Sequence, residues 1–389
     1  MKEPYAHPMM PRANHDELAR QNFVASARIH SWDNIHPGLK TVYETRAKGA
    51  FARRHNRDPQ NRHDVHRAMD AEPYYLMWSS LARSLREMHW DSVAESVERQ
   101  LPQLIDSARK LGHEKGSLRL NPNFQQPRYM SAVDIHVMPG GYHIDQVEGD
   151  VSSGAVSDRG GYYHILMFMG ARAHQMEEKP GRLVGEAFAN NIINYQRTMF
   201  PDLQVRRILD IGCCNGRNSL PYVDAYPGAE VHGVDLSAPQ LRYGHARAQF
   251  FGKPVHFSQQ NAEHTEFPDG YFDMVVSSAV MHETSRTAVA NIMKEAHRLL
   301  RPGGVTIHSE RAFYKTMSPF SAFLEDWECY YDNEPFKATW REMDPKKVLA
   351  DAGFDPARII EHSSTRAVAG KTEYLEPGKG PSAIFGARK

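Results

Sequence analysis

Cysteine is scarce in this chain: three residues, two of them adjacent (Cys213, Cys214) and the third far away at Cys329. Neighbouring cysteines rarely close a structural disulfide, so a disulfide-stapled scaffold is excluded and reduced thiols are expected. Net charge is missing too. Lys plus Arg and Asp plus Glu each total 47, which argues against a protein whose main affinity is for a polyphosphate backbone. Apolar runs such as ILMFM at 165–169 reach only five residues, far short of the roughly 20 that a spanning helix needs. The opening MKEPYAHPMMPR has no apolar stretch after its lysine. No secretory signal is therefore expected, and a cytoplasmic location follows.

What is present is a globular composition, 41% hydrophobic, 24% charged and 10% aromatic, in 389 residues. That length exceeds one compact core and favours two domains or one enlarged α/β domain. From about residue 200, β-branched runs alternate with amphipathic stretches, the pattern of a parallel sheet with crossover helices. Strands are expected at 205–211, 229–235, 254–259, 272–278 and 304–309, with two more near 357–364 and 382–387, and helices at 217–226, 238–251 and 286–301. The first half reads differently. Apolar residues from Met77 to Leu111 recur at helical spacing, as one helix or a pair; weaker helical stripes lie at 15–30 and 39–54, and 55–70 is polar. Residues 128–165 combine a strand-like SAVDIHVM with the glycine-rich PGGYHIDQVEGDVSSGAVSDRGGYY, read as a loop forming a binding lid. A helix at about 180–199 then leads into the first strand. The expected division is a mainly helical region 1–127, a lid and connecting helix 128–199, and an α/β domain 200–389.

The most informative segment is RRILDIGCCNGRNSL at 206–220. An apolar strand ends in Asp210, and Gly212 and Gly216 turn tightly into a helix whose first free N–H groups face whatever occupies the crevice. About twenty residues on, VHGVDLS ends a second strand in Asp235, where a carboxylate can accept from both hydroxyls of a ribose. Together these imply a ligand carrying a nucleoside. A dinucleotide fingerprint needs G-x-G-x-x-G and a P-loop needs Gly-Lys-Ser/Thr; neither is present.

These motifs resemble those of the class I S-adenosylmethionine-dependent methyltransferases, over residues 200–389. DIGCCNG is similar to the family's D-x-G-x-G-x-G loop, with Cys214 in place of the middle glycine. VDLS resembles its ribose-binding strand end, NAEHTEFPDGYFDMVVSS its third and fourth strands, and LLRPGGVTI the turn into its fifth. The resemblance implies a doubly wound, Rossmann-like, mostly parallel seven-stranded sheet with an antiparallel last strand. It implies S-adenosylmethionine as cofactor, with Asp210 and Gly212 near the methionine moiety, Asp235 on the ribose, Asn261 and the Ala262 backbone on adenine, Ser278 and Ala279 at the sulfonium, and Cys213, Gly216 and Leu236 as further cofactor-binding residues.

Methyl transfer from a sulfonium disperses charge, so a dry, orienting site can suffice. A carboxylate acceptor needs no base but does need cations or donors; a hydroxyl or amine needs a general base. His282 of SSAVMHET is the candidate base, and HETSR is not the H-E-x-x-H of a zinc protease. Arg159, Tyr162, Tyr163 and His164 of the lid, with Glu310 and Arg311 at a strand end, are the candidate acceptor-binding residues, and Arg172 is a further anchor for an acid. Trp327, Tyr330, Tyr331 and Phe336 read as core rather than pocket. No tight ligand cluster appears among His136, His143, His164, His174, His63 and His66, so no metal is expected. Arg46 to Arg67 holds seven Lys/Arg against two Asp; a solvated face is the simpler account than RNA binding. The expectation is therefore methylation of a small molecule, at oxygen, with a carboxylate first and a hydroxyl next. The rivals are N-methylation of an amine, RNA or protein, and a non-catalytic protein that binds the cofactor for assembly. The apolar helical stripes make a homodimer the expected assembly.

Overall fold

The computed structural model describes residues 4–112, 114–169, 187–364, 374–380 and 382–389. Among these, nine strands form one sheet: β1 (Ser117–Arg119), β2 (Arg207–Ile211), β3 (Glu230–Asp235), β4 (Val255–Gln259), β5 (Phe272–Ser278), β6 (Leu300–Arg311), β7 (Ile359–Ser364), β8 (Tyr374–Leu375) and β9 (Ser382–Arg388). Their order is β1-β4-β3-β2-β5-β6-β9-β7-β8. Pairing is parallel from β1 to β6, and β9 runs antiparallel between β6 and β7. The expected seven strands are all there. The two additions, β1 and β8, are edge strands of three and two residues, too short to show a period-two pattern.

Every residue of β5 is buried, as expected of a strand covered by helices on both faces. Chain order reverses at β2, whose neighbours are β3 and β5. In doubly wound sheets the crevice beyond the carboxyl ends at such a reversal is where ligands sit. Ser237 and Ser285 cap the helices Ala238–Phe250 and Arg286–Leu299 by accepting from the third residue on, which fixes where both crossovers start.

The helical first half is present, with differences of detail. Asn14 and Glu17 form a reciprocal capping box at the start of His15–His30. Residues 73–111 divide into Pro73–Glu98 and Leu101–Lys110. The polar stretch 55–70 contains a helix, Arg62–Met69, and its fully buried Asp64 bonds Arg57 and Arg67.

The lid expectation needs correction. SAVDIHVM is not a strand: it contains the end of a helical turn at Arg128–Ser131 and a 3-10 turn at Ile135–Val137, with His136 and Val137 both at positive φ. Only about 139–151 is loop, and Ser152–Met169 is a helix. The glycines that read as breakers are contact points instead. A Cβ on Gly154 would stand 2.3 Å from Tyr243, and one on Gly160 2.3 Å from Trp90. Small residues here let three helices approach closely, and that gain outweighs their low helix propensity.

Val151, Ala155 and Val156 share a core with Trp90, Val93 and Val97 on one side and Tyr243 and Ala246 on the other. A second shared core joins Leu39, Val65, Tyr75 and Trp78 to Phe323 and Trp327 of the helix Pro319–Tyr331. The aromatic insertion after β6 therefore packs against the N-terminal helices, and Trp327 is core as expected, donating from Nε1 to Ser79 Oγ at 2.8 Å. Tyr330 is an exception, more than half exposed.

Candidate active site

At the end of β2 the Asp210 carboxylate is buried and accepts from Ser219 Oγ at 2.6 Å. Burial pushes its pKa up to about 7, with the nearby charge of Asp235 acting in the same direction. Gly212 and Gly216 are both at positive φ, and a Cβ on Gly212 would sit 2.6 Å from Val280. Cys214, in the position of the missing glycine, adopts φ 46° and is held there by donating its N–H to Asp235 Oδ2 at 2.9 Å. Cys213 points into the core below the sheet; burial and the neighbouring carboxylates push its thiol pKa well up.

Asp235 ends β3 with Oδ1 accepting from Ser237 N and Oδ2 from Cys214 N, both at 2.9 Å. Burial raises its pKa, and the charge of Glu283 adds to that. Leu236 offers its carbonyl to Gln126 and Gln259. Asn261 Oδ1 accepts from Glu263 N at 2.9 Å, which leaves one lone pair. Ala262 packs against the core beside it. Ser278 Oγ is buried and has no hydrogen-bond partner.

Across the crevice the ends of β5 and β6 build an acidic wall. Glu310 is buried; its Oε1 accepts from Val280 N and Met281 N and its Oε2 meets His282 Nδ1, all at 2.7 Å. Burial opposes ionisation of Glu310, but the imidazole and these N–H groups outweigh it and hold the pKa below the usual range. His282 Nε2 faces Glu283 Oε1 and Glu334 Oε2, each at 4.0 Å. His136 Nε2 meets Glu283 Oε1 at 3.2 Å, and its Nδ1 lies 2.8 Å from Glu334 Oε1. Burial lowers the His136 pKa, but the charge of Glu334 and bonds to the surrounding carboxylates raise it well above the usual value. Asn333, at positive φ between Asp332 and Glu334, donates to the carbonyl of Asp134 and locks the two turns together.

The proposed acceptor residues do not all meet here. Buried Arg159 donates to Gln21 Oε1 and to the carbonyl of Pro11, anchoring the N-terminal segment rather than facing the crevice. Tyr162 and Tyr163 are buried edge to face against each other, with Arg159 over the Tyr163 ring. His164 Nδ1 accepts from Arg28 and Arg86, and Arg86 in turn holds Asp332. Arg311 is half-buried among Glu328, Glu325, Glu334 and Glu310, whose charges outweigh desolvation and raise its pKa. Arg172 and His174 lie outside the described residues. Missed from the sequence were Glu283, Asp332 and Glu334, while His136 was named there and set aside as a metal ligand. Of these only Glu283, adjacent to His282, carried a local signal.

Residues 208–304 match a family described as Methyltransferase domain. They form a class I S-adenosylmethionine-dependent methyltransferase segment, in keeping with the sheet, the glycine turn and Asp235. An uncharacterized methyltransferase of Synechocystis sp. is 34% identical over 100 residues, covering 26% of this chain and 44% of that protein. The demethylmenaquinone methyltransferase of Thermus thermophilus is 34% identical over 99 residues, 25% of this chain and 44% of that one. A fatty-acid O-methyltransferase of Mycolicibacterium smegmatis is 28% identical over 109 residues, 28% of this chain and 38% of that one. The chain thus spans less than half the length of the curated relatives it matches.

Proposed function

We propose that this protein transfers a methyl group from S-adenosylmethionine to an oxygen of a small molecule. One observation carries the reading: the buried Asp235 carboxylate, whose two oxygens each accept one N–H and so retain lone pairs for a pair of ribose hydroxyls. Asp210, Gly212 and Gly216 would hold the methionine end, with Cys213, its side chain in the core, contributing backbone only, Leu236 the ribose with Asp235, Asn261 and Ala262 the adenine, and Ser278 the region of the sulfonium. When bound, the cofactor supplies an electrophilic methyl group; the chain's residues orient it and exclude water. Asp235→Ala should lose about 1–3 kcal/mol of cofactor affinity through unpaired ribose hydroxyls. Unchanged affinity in titration calorimetry would remove the ribose assignment.

For the acceptor, the acidic wall of Glu283, Glu310, Asp332 and Glu334 repels an anion; Arg159 is engaged elsewhere, and Arg311, beside Glu310 and Glu334, is outnumbered by the carboxylates around it. A hydroxyl therefore replaces a carboxylate as the preferred oxygen. The same wall suits a cationic amine, so N-methylation is the second reading. Mass spectrometry of labelled products from a matched panel of alcohols, acids and amines separates them. Cofactor binding without turnover across that panel would favour a non-catalytic binder. A cytoplasmic location and a homodimer belong to the same proposal; the first rests on three unpaired cysteines, the second on exposed Met77 and Met88, three turns apart on one helix. Light scattering in solution tests the dimer.

A further inference from the structure

We propose that His282, Glu283 and Glu334 bind a divalent cation of the Mn2+ or Zn2+ class at the acceptor end of the crevice. His282 Nδ1 lies 2.7 Å from Glu310 Oε2. The Glu310 carboxylate only accepts, so the proton of that bond sits on Nδ1, and in the neutral ring Nε2 presents a lone pair. That lone pair faces Glu283 Oε1 and Glu334 Oε2, each 4.0 Å away. The distance is too long for hydrogen bonds, so none of the three atoms satisfies another, and they surround a gap that a cation would fill. Ligand bonds of about 2.0–2.2 Å put two donors roughly 4 Å apart across one ion.

The surroundings support this reading. Glu334 is 1% exposed, and its Oε2 has no hydrogen-bond partner. A buried carboxylate oxygen left in that state is expensive. Of the nearby permanent cations, Lys337 is bound to Glu334 Oε1 and Arg86 to Asp332 Oδ2, and Arg311, which also lies near Glu334, makes no hydrogen bond to Glu334 Oε2. His136 steadies the Glu283 carboxylate, and Glu310 orients the ring of His282, as outer carboxylates do for metal-bound histidines. One imidazole with two carboxylates suits a first-row divalent ion, and a small shift of the ligand atoms inward completes the site.

What the ion does rests on the methyl-transfer reading above. It would seat an acceptor hydroxyl, which gives up its proton to solvent on coordination, so the oxygen is ionised at neutral pH without a protein base. His282 then acts as a ligand through Nε2 and not as the base.

The test uses the full chain, stripped with a chelator and titrated with Mn2+, free ion being read by electron paramagnetic resonance. One ion per chain is expected, displaced by Zn2+, with Glu334→Gln and Glu283→Gln each weakening binding about tenfold or more. Glu283→Gln guards against Glu334→Gln misfolding, because the Glu283 side chain is 15% exposed and does not hold Lys337. No Mn2+ uptake by the folded protein, or unchanged uptake in Glu283→Gln, overturns the site. Titration of the same stripped sample with S-adenosylmethionine keeps the two readings apart: cofactor uptake without the cation removes the metal site alone, whereas cation uptake without the cofactor removes the methyltransferase reading alone.

Discussion

A carboxyl buried at a strand end makes stability depend on pH in a direction set by its shift. The pKa of Asp210, pushed up to about 7, exceeds its unfolded value, so between about pH 4 and pH 7 the native state holds a proton the unfolded chain has released. Stability should fall as pH rises through that window, by a few kcal/mol, and level off above it. Asp210→Asn should flatten the slope in urea titrations at a series of pH values; an unaltered slope would assign it to other groups. Cys214 is the other instructive residue. A Cβ at φ 46° is strained, yet its N–H bond to Asp235 needs that backbone, which explains how the glycine pattern tolerates a substitution.

At the scale of elements, the loop and the helix behind it are fitted to each other through glycine. A Cβ on Gly244 would lie 2.8 Å from the Asn215 carbonyl carbon, so Gly244→Ala must push the turn outward. The expected cost is about 1–3 kcal/mol of stability, read as a lower melting temperature, with weaker cofactor uptake alongside. Trp327→Ala should cost about 3–5 kcal/mol, because Trp327 packs on Trp78 with ring centroids 5.3 Å apart and loses its bond to Ser79; denaturant melts measure this. The strands β2 to β5 were legible to within two residues because each is a short apolar run closed by a turn signal. The helix Ser152–Met169 was not, because Gly154, Gly160 and Gly161 owe their place to neighbours distant in sequence. The glycine turn was equally legible, being a contiguous strand, turn and helix. Of the acidic wall only Glu310 was named from the sequence, since its members are brought together only by tertiary packing.

For the whole molecule, the N-terminal helices and the sheet half do not have separate cores. Trp78 lies in the core shared with the insertion after β6 and Trp90 in the core shared with the helix Ala238–Phe250, while Trp340 belongs to the core of the sheet. Tryptophan fluorescence and far-ultraviolet circular dichroism should therefore report one coincident unfolding transition. Two resolved transitions would show the halves to be independent. The turn carrying Asp332 and Glu334 follows the last crevice-forming strand in the chain and reaches back to one at Asp134. On the ribosome, a nascent polypeptide would thus present Glu283 and Glu310 before Asp332 and Glu334 emerge, so the acidic wall is completed only when the insertion after β6 has been synthesised and folded back.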